Sequence, residues 1–151
     1  REKNKELSKL AYGTNFDQVS EAPVTIVLFS DTDLPKRARK IARIGGAKNF
    51  SEEQLQYFLK NLPAEYTRYN EQQISDYLAL NAGLVAMNLV LALTDQGIGS
   101  NIILGFDKSK VNEVLDIDAR FRPELLITVG YTDKKLEPSY RLPVDEIIEK
   151  R

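Results

Sequence analysis

The sequence predicts a domain that combines α-helices with a few β-strands. Two apolar runs rich in β-branched residues, at 22–31 and 123–131, are bounded by proline, glycine or aspartate and are typical of buried strands. The residues between them carry mainly helical patterns, including a stretch from Tyr77 to Leu93 without a charged side chain. Because 151 residues supply one hydrophobic core, we expect a single domain over residues 1–151.

Composition limits the chemistry that the chain can perform. Its 21 basic and 22 acidic residues give a formal net charge of −1, so no overall field attracts nucleic acid or an anionic membrane. Cysteine and histidine are both absent, which excludes disulfides, thiol nucleophiles and the commonest metal ligand, and we predict no metal site. Catalysis therefore depends on carboxylates, lysines and hydroxyls or on a bound cofactor, and we favour a cofactor.

The N-terminus predicts a cytoplasmic location. Residues 1–6 are mostly charged where a signal peptide would need an apolar core, and the lack of cysteine agrees with a reducing compartment. The chain has one methionine, Met87, and does not begin with methionine. We therefore expect the domain to be N-terminally incomplete.

Two helices are predicted on either side of the first strand. A short polar helix covers 3–12, and a basic helix covers 34–44 and ends at the glycine pair 45–46. No aromatic side chains are interleaved with the basic residues, so we interpret them as a solvated face and expect no nucleic-acid partner. These cations are Lys36, Arg37, Arg39, Lys40 and Arg43.

Two capping boxes predict the next helices. Ser51 with Gln54 begins one helix, which Pro63 interrupts or follows, and Asn70 with Gln73 begins the next. In a capping box the first side chain accepts a hydrogen bond from the backbone of the fourth residue, whose own side chain reaches back.

The second of these helices is apolar on all sides, so it is expected either to be buried in protein or to lie in lipid. A membrane span needs about 20 apolar residues and basic flanks. Here Asp76 and Asp95 flank the run, and Asn81 and Asn88 interrupt it. We therefore expect no membrane span.

Small residues on this helix predict close packing against another helix. Ala79 is followed by Gly83 and Ala82 by Ala86, each at a spacing of four. A domain of this size has difficulty surrounding such a helix alone, so we predict a homodimer interface. The alternative is a central helix inside a monomer, with its asparagines hydrogen-bonded internally.

A glycine-containing segment, 95–107, follows the long helix. Gly97 is placed to end that helix in the left-handed conformation, and Asp107 is placed to cap a short helix at 108–115. Beyond the second strand, Arg141 is a single cation before a terminal helical turn that runs through Ile148.

The segment 95–107 has two interpretations. It is either a helix–helix connection whose apolar side chains fill the core, or a platform for a flat aromatic ligand. In the second case Ile102 and Ile103 supply an apolar floor, and the backbone amides of Leu104 and Gly105 donate to a ring heteroatom.

Five blocks in their order decide between these interpretations, because together they resemble the flavin-dependent nitroreductase family. The resemblance covers about residues 10–151. Within the family, the sequence looks like a member from the lactic or streptococcal bacteria. The blocks are 77–89, 95–100, 105–107, 123–131 and 141–143.

The resemblance implies an α+β fold, with a mostly antiparallel sheet flanked by helices and a homodimer formed through the long central helix. It implies an FMN-dependent oxidoreductase that takes electrons from NADH or NADPH and passes them to nitroaromatic, quinone or flavin acceptors in a ping-pong cycle. Ile102, Ile103, Leu104 and Gly105 would lie on the flavin, with the last two amides near its N5 and O4, and Arg141 would contact the FMN phosphate.

The sequence departs from the family pattern at two places. The arginine-serine-arginine pattern that normally grips the phosphate near the N-terminus is absent, and Ser139 stands where many members have lysine. The alternative function is therefore a non-catalytic, cofactor-free dimeric α+β module or a fragment of such an enzyme.

Overall fold

A three-stranded antiparallel sheet organises the residues that this computed structural model describes, which are 2–133 and 140–149, excluding the side chains of 46–48. Its strands are β1 (Val24–Asp31), β2 (Gly99–Ile103) and β3 (Phe121–Gly130). β3 lies in the centre and pairs with both of the others. The antiparallel pairing and the mixture of helices and strands confirm the predicted α+β class.

β3 occupies the centre because its apolar run is covered on both faces. The residues from Pro123 to Thr128 are all buried, and the side chains of Leu126 and Ile127 have no exposed surface. β1 is confirmed as a strand but is less buried than predicted, since it is half-buried apart from its exposed first residue, Val24.

The sequence analysis missed two elements, the helix at Asn15–Glu21 and the strand β2. β2 is the one that bears on the site. It lies in the segment predicted to connect two helices, where Asn101 pairs with Thr128 and Ile102 with Ile127. The run contains only two β-branched residues, too few to indicate a strand. The strand forms because the second edge of β3 offers unpaired backbone groups.

Seven α-helices occur within the described residues. The two capping boxes and the long helix that follows the second are confirmed. So are the left-handed Gly97, with φ of +70°, and the cap at Asp107, which accepts a hydrogen bond from the Ser109 backbone. The helices are α1 (Glu2–Ser8), α2 (Asn15–Glu21), α3 (Leu34–Asn49), α4 (Glu52–Tyr66), α5 (Glu71–Asp95), α6 (Val111–Leu115) and α7 (Val144–Ile147), with a 3₁₀ turn at Lys108–Lys110.

Several predicted helix ends are wrong. α1 stops at Ser8, α3 continues through the glycine pair to Asn49, and α4 runs through Pro63 to Tyr66. α3 and α4 pack along each other, and this tertiary packing outweighs the cost of about 1 kcal/mol for each helical glycine. The five predicted cations of α3 are all exposed, which confirms the solvated face.

The core lies on both faces of the sheet. One cluster contains Ile103, Leu126 and residues of α1, α2 and α6, and the other contains Leu125, Ile127 and Ala86 of α5. Alternating residues of β3 thus point to opposite sides. Helices therefore cover both faces, as the resemblance implied.

Replacing Ser51 by alanine is expected to lower the free energy of unfolding by about 1 kcal/mol. The Ser51 hydroxyl accepts a hydrogen bond of 3.2 Å from the Gln54 backbone, and the Gln54 side chain accepts one of 2.9 Å from the Ser51 backbone. Urea-induced unfolding measures the change. Lys60→Ala, at an exposed interior position of the same helix, is the control and is expected to have little effect. Equal stability of the two variants would contradict the role of the cap.

Candidate functional site

The long helix α5 is largely uncovered within the described residues. Its only buried side chains are Leu78, Ala82 and Ala86. Asn81 and Asn88 are both exposed, which contradicts the alternative of a helix enclosed within one protomer. By length and composition alone α5 could cross a membrane, and 17% of its most apolar stretch is buried.

An apolar stripe runs along the exposed side of α5. Leu80, Leu84, Met87 and Leu91 are 65%, 64%, 50% and 57% exposed. Their spacings of four, three and four residues place them on one face of the helix, as in the contact seam of paired helices. We call these four residues the α5 stripe.

A cleft of about 360 Å³ lies between α5 and the sheet, and it is the candidate functional site. Its volume is within the usual range for sites that bind small molecules. The α5 side of the cleft consists mainly of small residues, so a flat ligand can approach the helix backbone. These residues are Ala79, Ala82, Gly83 and Ala86, with Met87 beside them.

The opposite side of the cleft contains two of the residues predicted from the sequence. Ile102 and Leu104 line it and are 38% and 66% exposed. Ile103 is 2% exposed and belongs to the core cluster on the other face of the sheet. Because neighbouring strand residues point to opposite faces, only backbone atoms of Ile103 are available to a ligand in the cleft.

Gly105 is held in place from the side of α1 and α2. Its carbonyl oxygen accepts hydrogen bonds from the Tyr12 backbone at 2.9 Å and from the Asn15 side chain at 3.2 Å. A Cβ atom at Gly105 would lie 2.9 Å from Asn15 Nδ2, so a larger residue there requires a shift of the Asn15 side chain or of the Gly105 backbone.

The backbone amides of Leu104 and Gly105 are available to a ligand. No acceptor among the described residues is hydrogen-bonded to either N–H group, whereas the carbonyl of each is bonded. Leu104 is exposed, so its N–H can bond to water, whereas a half-buried amide such as that of Gly105 normally has a partner. Two unused donors beside a ring-sized apolar cleft therefore fit a flat ligand with hydrogen-bond acceptors on one edge.

A buried ion pair lies at one end of the cleft and was not predicted. Glu124, whose side chain is 7% exposed, lines the cleft. Its Oε1 accepts a hydrogen bond from Arg122 Nε at 2.8 Å and lies 2.7 Å from Arg122 Nη2 in an ion pair. Arg122 also donates to the Ser75 hydroxyl at 2.9 Å and to the Ser75 carbonyl at 3.1 Å, which connects β3 to α5. The one signal in the sequence is an acidic residue inside an apolar strand, two positions after an arginine.

Two further charged residues lie near the cleft. Lys108 lines it, with Nζ 5.9 Å from the centre of the Phe106 ring. At Asp107, the hydrogen bond from the Ser109 hydroxyl is the main cause that lowers the pKa of the carboxyl group. Of these two residues, Lys108 adds a positive charge to the lining of the cleft.

Arg141 lies away from the cleft in this protomer. It is exposed, does not line the cleft, and donates from Nη1 to the Tyr140 carbonyl at 2.8 Å. Its contact with a phosphate remains a prediction. Ser139 falls outside the described residues.

A second cavity, of about 480 Å³, lies between β1, α3, α4 and α5. Tyr66 and Tyr77 both line it with their hydroxyl oxygens 3.1 Å apart, and this hydrogen bond raises the pKa of Tyr66 to about 12. None of the predicted site residues lies there. Across the described ranges, no group of three or more carboxylates is arranged to hold a metal.

The chain is similar to known proteins over nearly all of its length. The model of the nitroreductase family matches residues 2–131. A Streptococcus pyogenes protein, described as a candidate NAD(P)H nitroreductase, is 60% identical over 151 residues, which cover 100% of this chain and 75% of that protein.

Solved structures share the fold. A nitroreductase family protein from Streptococcus pneumoniae TIGR4 superposes with a TM-score of 0.93 and 87% identity, covering 100% of this chain and 76% of that one. A candidate nitroreductase from Exiguobacterium sibiricum, solved in complex with FMN, gives a TM-score of 0.87 with 23% identity over 98% of this chain and 71% of that one. At that identity the likeness shows the fold alone.

Proposed function

Because the chain belongs to the nitroreductase family, we propose that it is an FMN-dependent oxidoreductase that takes electrons from NADH or NADPH. It passes them to nitroaromatic, quinone or flavin acceptors by a ping-pong mechanism in the cytoplasm. The observation that carries the proposal is the pair of unused amides at Leu104, which lines the cleft, and at Gly105, the residue that follows it.

The cleft residues bind and orient the flavin ring. Ile102 and the small residues of α5 provide an apolar surface for the ring, and the Leu104 and Gly105 amides donate to its N5 and O4 edge. Bound FMN supplies a carrier that accepts hydride from the nicotinamide and gives up two electrons to the acceptor. The protein contributes positioning and exclusion of water, so the absence of histidine from the chain is no obstacle.

Arg141 contacts the FMN phosphate in this proposal. Arg141 does not line the cleft of its own protomer. The contact therefore requires either that the C-terminal segment changes position or that Arg141 reaches the cleft of a second copy. An arginine suits this role because its guanidinium group can donate two parallel hydrogen bonds to a phosphate.

The protein functions as a homodimer, with the α5 stripe as its interface. The stripe is a continuous exposed apolar surface on the helix that also forms one wall of the cleft. A second copy packed there covers the stripe and shields the cleft from water. A membrane and a nucleic acid are not partners in this proposal.

Replacing Gly105 by alanine is expected to weaken FMN binding by at least about tenfold, the cost of one hydrogen bond. The new Cβ would lie 2.9 Å from Asn15 Nδ2, and any overlap that the Asn15 side chain does not relieve would displace Gly105 and its amide. Quenching of FMN fluorescence during titration measures the affinity.

The double variant Gly105→Ala/Asn15→Ala is expected to regain most of that affinity, since the next nearest atom, Tyr12 Cδ2, is at 3.9 Å. Gly45→Ala is the matched control, because a Cβ there meets nothing within 4 Å. Folded Gly105→Ala protein with unchanged FMN affinity would contradict the site assignment.

Separate measurement of the two half-reactions tests the proposed activity. Under anaerobic conditions, NADH or NADPH is expected to bleach the visible absorbance of the FMN-loaded protein. After removal of the donor, a quinone or nitroaromatic compound is expected to restore it, as a ping-pong cycle requires. Failure of both donors to bleach the absorbance would overturn the proposed function.

A further inference from the structure

Glu124 occupies an irregular position in the central strand. Leu28 of β1 pairs with Leu125, but the next residue, Phe29, pairs with Pro123, so Glu124 is an extra residue on β3. Such a β-bulge interrupts the alternation of side chains and re-aims one of them. As a result, Glu124 and its neighbour Leu125 both line the cleft, although adjacent strand residues ordinarily face opposite sides.

Glu124 has a largely buried side chain that uses only one of its two carboxylate oxygens within the protomer. Arg122 Nε donates a hydrogen bond to Oε1, and Arg122 Nη2 forms an ion pair with the same oxygen. No donor in the described part of the chain is bonded to Oε2, and the side chain is 7% exposed. Within the described residues, the buried side-chain atoms that lack a hydrogen-bond partner are Thr25 Oγ1 and Arg120 Nε. Oε2 of Glu124 is not among them, so it keeps some accessible surface and can accept a hydrogen bond from a ligand in the cleft.

We propose that Oε2 of Glu124 accepts a hydrogen bond from the imide N3–H of the bound flavin. This inference rests on the proposed function. The Leu104 and Gly105 amides provide donors for the N5 and O4 edge of the ring, and N3–H is the ring donor next to O4. The residues at the cleft thus supply the two kinds of group, donors and an acceptor, with which that edge of the ring pairs.

The charge of Glu124 gives the contact a second consequence. A carboxylate beside the ring disfavours the negative charge that reduction adds, so Glu124 holds the reduction potential of bound FMN lower than a neutral side chain would. Arg122 offsets part of this effect, because it neutralises the Oε1 side of the group. Glu124 therefore both selects for a ligand with an N–H donor and tunes its potential.

The test compares Glu124→Gln with the unchanged protein. Glutamine keeps the shape and an acceptor for Arg122 but removes the charge. FMN affinity, measured by fluorescence quenching, is expected to fall about tenfold, as for loss of a charge-assisted hydrogen bond, and the midpoint potential of bound FMN is expected to rise.

Ser75→Ala is the matched control, because it removes a hydrogen bond to Arg122 from outside the cleft. It is expected to leave FMN affinity nearly unchanged. An equal loss in Ser75→Ala and Glu124→Gln would overturn the proposal, since the effect would then come from the stability of the ion pair. Wild-type affinity and potential in folded Glu124→Gln would overturn it as well.

A flavin analogue tests the same contact without a variant. FMN methylated at N3 lacks the donor, and the unchanged protein is expected to bind it about tenfold more weakly than FMN. Glu124→Gln is expected to bind the two flavins with a much smaller difference. Equal affinity of the unchanged protein for both flavins overturns this inference alone, whereas failure to bind FMN at all overturns the proposed function and the inference together.

Discussion

Replacement of Leu84 by aspartate is expected to convert the dimer into monomers and to abolish FMN binding. Leu84 lies in the middle of the α5 stripe, where its side chain is 64% exposed in one protomer. In a two-fold symmetric dimer the change introduces a carboxylate into the interface from each subunit. Each replaces the burial of a leucine, worth about 1.5–3 kcal/mol, with the cost of an unpaired buried charge.

Sedimentation velocity at several protein concentrations measures the oligomeric state, and fluorescence titration measures FMN binding. Leu84→Met keeps an apolar side chain of similar volume and is expected to remain dimeric. A dimeric Leu84→Asp protein would show that the α5 stripe is not the interface.

Replacement of Arg122 by alanine is expected to lower the free energy of unfolding by about 3 kcal/mol. The change leaves the Glu124 carboxylate, 7% exposed, without its partner and removes the hydrogen bonds to Ser75. This expected loss lies at the lower end of the range for breaking a buried ion pair, because the Arg122 side chain is itself 30% exposed.

Urea-induced unfolding of the FMN-free protein measures this loss. The double variant Arg122→Met/Glu124→Leu removes both charges and is expected to recover more than half of the stability, since no unpaired ion remains. A loss of less than about 1 kcal/mol in the single variant would place the pair among surface ion pairs that contribute little.

Local signals in the sequence were sufficient for the starts of α4 and α5 and for the central strand, whereas α2, which has no side-chain cap, was missed. The two capping boxes, the left-handed Gly97 and the cap at Asp107 each depend on a few neighbouring residues, and all are present. The exposed apolar α5 stripe agrees with the predicted self-association of that helix, which stays a prediction until the oligomeric state is measured.

Elements that depend on distant partners were not predictable in this way. β2 forms on the edge of β3, and α3 continues past its glycines because it packs against α4. The assignment of β2 as a strand also changes the site. The sequence analysis expected Ile102 and Ile103 to form one apolar surface under the ligand, but their side chains point to opposite faces of the sheet.

The ion pair at the end of the cleft depends on tertiary structure as well. Arg122 and Glu124 are close in sequence, but the bulge opposite Leu28 and the contact with Ser75 both require the folded sheet and α5. A carboxylate in an apolar strand marked the position without indicating its role.

The central claim is that the cleft between α5 and the sheet binds FMN. It is tested most directly by the visible absorption spectrum of the purified protein, with acid release of any flavin and a titration with added FMN. The account predicts a yellow protein, or one that takes up about one FMN per chain, and weaker FMN binding in Gly105→Ala. A colourless protein that leaves the fluorescence of added FMN unchanged would contradict the account and favour a cofactor-free dimeric module.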